Sequence, residues 1–168
     1  MAMIEKQIKL KTEFLIKLWL RFVDDVFAII KKTHLRRFLK FINSIHPAIN
    51  FTMEMENNSK LPFLDVLVIP TNDHLEFDVY RKACTTSRYI CINSQHSPQH
   101  KLSAFQSMIH RLLTFPLTKD RYNTEMSHIR DVAAINGFNP SVITSMVIKK
   151  RKALKREQMT SPRSKSGT

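Results

Sequence analysis

The hydrophobic pattern changes its period near residue 89, and this change constrains the fold more than any other feature of the sequence. Before it, short apolar runs alternate with clusters of turn residues, a pattern typical of β-strands and hairpins. After it, apolar residues recur at helical spacing, as at Leu102, Phe105, Ile109 and Leu112. We therefore predict an α+β chain whose helices are concentrated in the second half.

The first two apolar runs, residues 18–23 and 26–30, are separated by Asp24 and Asp25. Two short runs on either side of two turn-forming residues predict a tight antiparallel hairpin with both carboxylates at its tip. Apolar residues at helical spacing over residues 35–45 then predict one amphipathic helix.

Three further strands are predicted after this helix. Residues 51–55 alternate apolar and polar side chains, which indicates a strand with one buried face. Residues 63–69 and 75–80 surround a cluster of turn residues at 70–73, which predicts a second antiparallel hairpin. The predicted element order up to residue 80 is therefore ββαβββ.

Prolines and capping residues predict three helices in the second half. Pro98 can begin the first and Pro116 must end it, whereas Thr118 can cap the second, which we expect over residues 118–136. The third is expected over residues 140–156. We predict three regions: a strand-rich domain at 1–88, a helical domain at 89–157, and a disordered basic tail at 158–168.

The chain carries a net charge of +13, and residues 149–168 hold eight Lys or Arg against one Glu. An excess of this size predicts a polyanionic partner, because neutralising phosphates releases counterions. We expect nucleic acid rather than a membrane, since Lys or Glu interrupts the apolar residues of the N-terminus. Two cysteines without a zinc-site spacing favour an intracellular setting, and the basic run is also typical of nuclear-import signals.

Asp24 and Asp25 are the candidate catalytic and metal-binding residues. Two carboxylates held at a rigid hairpin tip are suited to binding Mg²⁺ for two-metal phosphoryl transfer. The alternative is structural, because Asp is favoured in turns for its local hydrogen bonding.

Several ordered motifs extend this interpretation: LWLRFVDDVFAII, INFTMEME, LPFLDVLV, VYRK and SRYICINSQHSPQHK. Over residues 17–140 they closely resemble the reverse transcriptases of Penelope-like retroelements. The resemblance implies that Asp24 and Asp25 are the Mg²⁺-binding pair of a palm domain. It also implies that residues 61–80 form the primer-grip hairpin and that the helices from Ser97 onward form the thumb.

Arg81 and Lys82 follow this hairpin directly, so they are candidate contacts to primer or template phosphates, with a solvated strand end as the alternative. Asp65 within the hairpin is expected to pair with a cation or cap a turn rather than act in catalysis. Ala83 and Cys84 depart from the resemblance, because a Pro-Thr pair is expected after the Arg-Lys.

The last two predicted helices also have the spacing of a helix-turn-helix, in which the second helix carries the basic run. The candidate nucleic-acid contacts in this run are Lys149, Lys150, Arg151 and Lys152. A solvated basic helix end, favoured by the helix dipole, is the alternative. His96 and His100 lie four apart, but without a third ligand we do not expect them to bind zinc.

We therefore expect a C-terminal fragment of an RNA-directed DNA polymerase, with a partial palm followed by a helical thumb. Only about 20 residues precede the Asp-Asp pair, and they supply no further palm Asp and no fingers, so we expect nucleic-acid binding without polymerisation by this chain alone. The alternative function is a stand-alone helix-turn-helix binding module, and a nonfunctional relic is a third possibility.

Overall fold

A computed structural model describes residues 5–8, 14 and 16–160. The chain forms two compact units, Met1–Glu56 and Asn57–Thr168. The first unit contains a two-stranded antiparallel sheet, and the second contains a three-stranded antiparallel sheet followed by three long helices. The predicted α+β class, with its helices concentrated in the second half, is confirmed.

The first unit is built from a hairpin and a helix. Strands β1 (Leu18–Phe22) and β2 (Asp25–Ile29) pair antiparallel, and a 3-10 turn at Lys32–His34 leads into helix α1 (Leu35–Ser44). Residues 5–8 are also helical. The main cluster of buried side chains is apolar and half aromatic, with the Phe14 ring 5.3 Å from that of Phe38: Ile8, Phe14, Phe38 and Ile42.

Residues 51–56 have no regular secondary structure, so the strand predicted at residues 51–55 is wrong. The side chain of Asn43 explains the difference, because it forms hydrogen bonds with both the backbone N–H and the backbone carbonyl of Phe51. Phe51 N donates to Asn43 Oδ1 at 2.6 Å, and Asn43 Nδ2 donates to Phe51 O at 3.0 Å. The Asn43 side chain thus occupies the backbone groups of Phe51 that a neighbouring strand would otherwise bind.

The sheet of the second unit contains β3 (Leu61–Phe63), β4 (Val66–Pro70) and β5 (Leu75–Val79), in that order. The run predicted as one strand over residues 63–69 is broken by a two-residue turn at Leu64 and Asp65, which pairs Phe63 with Val66. The element order ββαβββ therefore exists, but its fourth element is β3 rather than residues 51–55.

Three helices complete the second unit: α2 (Pro98–Thr114), α3 (Lys119–Ile135) and α4 (Pro140–Thr160). Helix α2 begins at Pro98 and Thr118 caps α3, both as predicted: Thr118 accepts a hydrogen bond from Arg121 N. Ser97, which was not predicted as a cap, accepts a hydrogen bond from His100 N at the start of α2. Helix α4 continues beyond the predicted end, so residues 158–160 are helical, while the rest of the predicted tail lies outside the described residues.

The three helices bury a common apolar core. Its fully buried members come from every helix, and burying each stabilises the fold by roughly 1.5–3 kcal/mol. The largest are Phe105, Ile109 and Leu112 of α2, Ile129 and Val132 of α3, and Ile143 of α4.

Asn136, in the turn between α3 and α4, is one of two buried polar side chains among the described residues. Its Oδ1 accepts a hydrogen bond from Tyr89 N at 2.7 Å, and its Nδ2 donates to Ser87 O at 2.8 Å and to Val132 O at 2.7 Å. Gly137 follows with a φ of +81°, and a Cβ there would lie 3.0 Å from the Ile92 side chain. The turn is therefore fixed against the segment that leads into α2.

Ion pairs join the sheet of the second unit to its helices. Arg121 of α3 contacts Glu76 at 2.8 Å, and its Nη1 donates to Phe77 O at 3.1 Å. Arg111 of α2 contacts Asp65 at 3.0 Å. The sequence predicts a domain boundary after residue 88, whereas these links place β3–β5 and the helices in one compact unit that begins at Asn57.

Candidate nucleic-acid interface

Helix α4 places a dense basic run on the surface of the second unit. Ile143 and Val147 anchor its first half in the core. Six of the eight residues from Lys149 to Arg156 are Lys or Arg, and Lys149 and Lys152 lie three apart with exposed side chains. A helix end of this kind can contact successive phosphates.

The four predicted basic contacts have different surroundings. Lys149 and Lys152 are exposed, whereas Lys150 is half-buried. Arg151 Nη2 donates to Tyr122 Oη at 2.8 Å, and its guanidinium lies 6.0 Å from the centre of the Tyr122 ring. Arg151 therefore also holds α4 against α3, a role that the sequence pattern did not indicate.

The predicted Asp-Asp hairpin forms in the first unit. Its register pairs Phe22 with Asp25, so Val23 and Asp24 make a two-residue turn and Asp25 begins β2. Both carboxylates belong to exposed residues. Val23 has a φ of +53°, a conformation that costs a β-branched residue about 1–3 kcal/mol.

Arg21 supports the tip of this hairpin. Its Nη1 donates to Val23 O at 3.0 Å, and its Nε contacts Glu5 at 2.6 Å. The guanidinium therefore bridges the turn and the helical residues 5–8. The sequence pattern gave no sign of this bridge, because its partner lies 16 residues earlier in the chain.

Asp24 and Asp25 are suitable donors for Mg²⁺, which prefers carboxylate oxygens. Within residues 5–8, 14 and 16–160, however, no group of three or more His, Cys, Asp or Glu side chains is placed to hold a metal ion. Two neighbouring carboxylates alone do not fit the ligand set of a two-metal centre.

Arg81 and Lys82 leave the end of β5 in different settings. The Arg81 guanidinium forms an ion pair with the carboxylate of Glu125, whose side chain on α3 is only 4% exposed. Lys82 is exposed. Sequence reasoning missed Glu125, because an acidic residue among polar neighbours on a helix gives no sign of being buried.

Residues 88–146 match the family model of the animal helix-turn-helix domain. The match covers α2, α3 and the start of α4, and it ends just before the basic run. No curated protein and no solved structure matches the chain. The helix-turn-helix arrangement predicted from the loop spacing is thus supported, and it is consistent with binding to nucleic acid.

His128 lies half-buried on α3 within this helix-turn-helix region. Burial lowers the pKa of His128 below its usual value, and the nearby charge of Arg81 lowers it further. The carboxylates of Glu125 and Asp131 act in the opposite direction but do not reverse the shift. The environment of His128 therefore disfavours an additional positive charge.

Among the helices of the described residues, none combines the length and the apolar composition that a bilayer crossing requires.

Proposed function

We propose that the second unit is a helix-turn-helix nucleic-acid-binding module that contacts phosphates through the exposed end of α4. One observation carries the proposal: the helix that follows the helix-turn-helix turn bears six Lys or Arg in eight consecutive residues. In this motif the second helix is the one that enters the groove of a duplex. The match to the animal helix-turn-helix domain supports the same assignment.

The side chains along α4 favour phosphate contacts over base recognition. Its exposed positions before the basic run include Ser141, Ser145 and Ile148, which are short or apolar. Sequence-specific contacts in the major groove generally need longer bidentate side chains such as Arg, Asn or Gln. We therefore expect strong dependence on salt and little dependence on base sequence.

The test is the affinity for a short duplex DNA of mixed sequence, measured by fluorescence anisotropy across a series of salt concentrations. The double variant Lys149→Ala/Lys152→Ala removes two exposed charges from α4. We expect it to bind roughly 10- to 30-fold more weakly at physiological salt, and to lower the slope of log affinity against log salt by about 2.

The matched control is Lys31→Ala/Lys32→Ala, which removes the same charge from exposed positions of the first unit. It should leave the affinity and the salt slope nearly unchanged. Equal losses in both variants would show that net charge, rather than α4, determines binding, and would overturn the proposal.

A second candidate function is favoured by the hairpin of the first unit. We propose that the chain descends from a Penelope-like reverse transcriptase, with Asp24 and Asp25 as its catalytic pair and α2–α4 as a thumb that binds template-primer duplex. The two-residue turn at Val23 and Asp24 supports this ancestry, because it exposes both carboxylates beside each other. On this proposal Arg81 and Lys82 lie near the primer.

Primer extension on an RNA template, with Mg²⁺ or Mn²⁺, tests the catalytic part of this candidate. Since two carboxylates do not complete a two-metal centre, we expect no extension by this chain alone. Extension that the Asp24→Asn variant abolishes would show the expectation of inactivity to be wrong and would establish polymerase activity.

A further inference from the structure

A cleft of about 290 Å³ lies within the second unit, where the segment after β5 passes over α2 and α3. Its floor includes apolar side chains from both helices, Met108 and Val132. Its polar wall carries hydroxyl, cationic and imidazole groups: Lys82, Thr85, Thr86, Ser87, Arg111 and His128.

Four hydrogen-bond donors in this cleft have no partner among the described residues. Three of them, Lys82 Nζ and the hydroxyls of Thr85 and Thr86, belong to exposed residues and are accessible to a ligand. Arg111 Nε is buried and also has none within the described part of the chain. The one carboxylate in the wall, Asp65, accepts from Arg111 Nη1 at 3.0 Å. Arg111 Nε is the one buried donor among the four, and a buried donor without a partner indicates that an acceptor is missing beside it.

The charged side chains around the cleft leave a net positive charge. Glu125 neutralises Arg81, and the largely exposed Asp65 partly neutralises Arg111, which leaves the Lys82 ammonium without a counter-charge in the described residues. Burial is the main cause of the lowered pKa of His128 and the charge of Arg81 is the second, so the preference for an anion rests on Lys82 rather than on this histidine. A ligand that brings negative charge would be stabilised in this cleft.

We infer that the cleft binds a phosphodiester phosphate of a nucleic-acid strand, with Lys82 and the hydroxyls of Thr85 and Thr86 donating to its oxygens. Lys, Ser and Thr side chains are the usual donors to backbone phosphates. The apolar floor at Met108 and Val132 is suited to the adjoining sugar. The inference rests on the proposed nucleic-acid binding and adds a second contact surface, separate from the basic run of α4.

The experiment is a titration of the ¹⁵N-labelled full chain, followed by NMR, with a single-stranded oligonucleotide and separately with inorganic phosphate. We expect the oligonucleotide to shift the amide signals of Thr85 and Thr86 and the ring signals of His128. Inorganic phosphate should shift the same signals only at much higher concentration. The Lys82→Gln variant should weaken oligonucleotide binding roughly fivefold and lower the salt slope by about 1.

Lys60→Gln is the matched control, because Lys60 is an exposed lysine at the start of the sheet in the same unit and lies outside the cleft. It should leave binding unchanged. Thr85→Val keeps the shape of the side chain and removes one donor, so it should also weaken binding without changing the salt slope.

The outcomes separate this inference from the proposed function. If the oligonucleotide shifts only α4 signals, the cleft inference is overturned while binding by α4 stands. If inorganic phosphate alone shifts the cleft signals, a nucleic-acid source is overturned and free phosphate is the ligand. If Lys149→Ala/Lys152→Ala binds with an unchanged salt slope while the cleft still responds, the cleft inference is supported and the role of α4 fails.

Discussion

The two hairpins with two-residue turns share a local sequence but differ in what surrounds them. Phe22-Val23-Asp24 and Phe63-Leu64-Asp65 both place an aromatic residue at the end of a strand, an apolar residue at positive φ and an Asp second in the turn. The φ values are 53° at Val23 and 54° at Leu64. In the second hairpin Asp65 pairs with Arg111, whereas no ion pair involving Asp24 is found among the described residues.

The second hairpin shows that the Asp-Asp motif alone is weak evidence for a catalytic site. An aromatic-apolar-Asp sequence makes the same turn at Leu64, where Asp65 has a structural partner and no catalytic assignment. Local conformation is therefore sufficient to explain the turn at Val23, and the additional carboxylate of Asp25 is the sequence feature that the second hairpin lacks. The functional proposal accordingly rests on the helices.

The largest expected effect concerns Arg81, which follows the second hairpin. Arg81→Met leaves the buried carboxylate of Glu125 without its partner and should reduce the free energy of unfolding by about 3–5 kcal/mol. Urea denaturation measures the loss. The double variant Arg81→Met/Glu125→Leu should recover most of it, and a failure to recover would mean that Arg81 acts mainly through other contacts.

Substitutions in the two turns should have the next largest effect on the free energy of unfolding. Val23→Gly and Leu64→Gly each remove a side chain from positive φ, and little burial is lost because these residues are 64% and 44% exposed. Each should raise the free energy of unfolding by roughly 0.5–1 kcal/mol, more at the β-branched Val23.

Hydrogen exchange in the flanking strands would report each hairpin separately. Val26→Gly, in the body of β2, is the control and should destabilise. Destabilisation by both turn variants would contradict the interpretation that positive φ strains the backbone in both turns.

Acid sensitivity should differ between the two units. Because the folded pKa of His128 lies below 6.5, the unfolded chain binds more protons between that lowered pKa and 6.5. The free energy of unfolding of the second unit should therefore fall as the pH drops through this window, and be retained above it. His128→Gln should flatten the dependence, as followed by the thermal midpoint against pH.

The smallest effect is expected from the aspartates of the turns. Asp65→Asn weakens an exposed ion pair and should cost at most about 1 kcal/mol, while Asp24→Asn should change stability by less than about 0.5 kcal/mol. Thermal denaturation of both variants measures the difference. A larger loss for Asp24→Asn would reveal a structural role that the comparison of the hairpins does not show.

The sequence predicted the features that depend on neighbours along the chain. The hairpin at Asp24, helix α1, the helix start at Pro98 and the cap at Thr118 all follow from short-range patterns. The strand predicted at residues 51–55 failed because Asn43, eight residues earlier, satisfies the backbone of Phe51. A strand pattern records which face is apolar, but not whether another strand is present to pair with it.

The candidate site was predictable only in part, for the same reason. The basic run of α4 is visible in the sequence, since charge density needs no tertiary contact to be recognised. The pairing of Arg81 with Glu125 joins residues 44 apart, and the cleft beside Lys82 is lined by residues from four separate segments. Such sites depend on packing that no local pattern specifies.

The buried turn at Asn136 has a consequence for the chemical ageing of the protein. An Asn-Gly sequence in a flexible chain loses ammonia readily, when the glycine nitrogen attacks the asparagine side chain. Here the carboxamide is held by three hydrogen bonds, and Gly137 N donates to Ala134 O at 3.0 Å. The folded state therefore protects the Asn136 side chain from deamidation. In the unfolded chain this protection is lost. Deamidation there would remove the N–H groups that donate to Ser87 O and Val132 O, and it would hinder refolding.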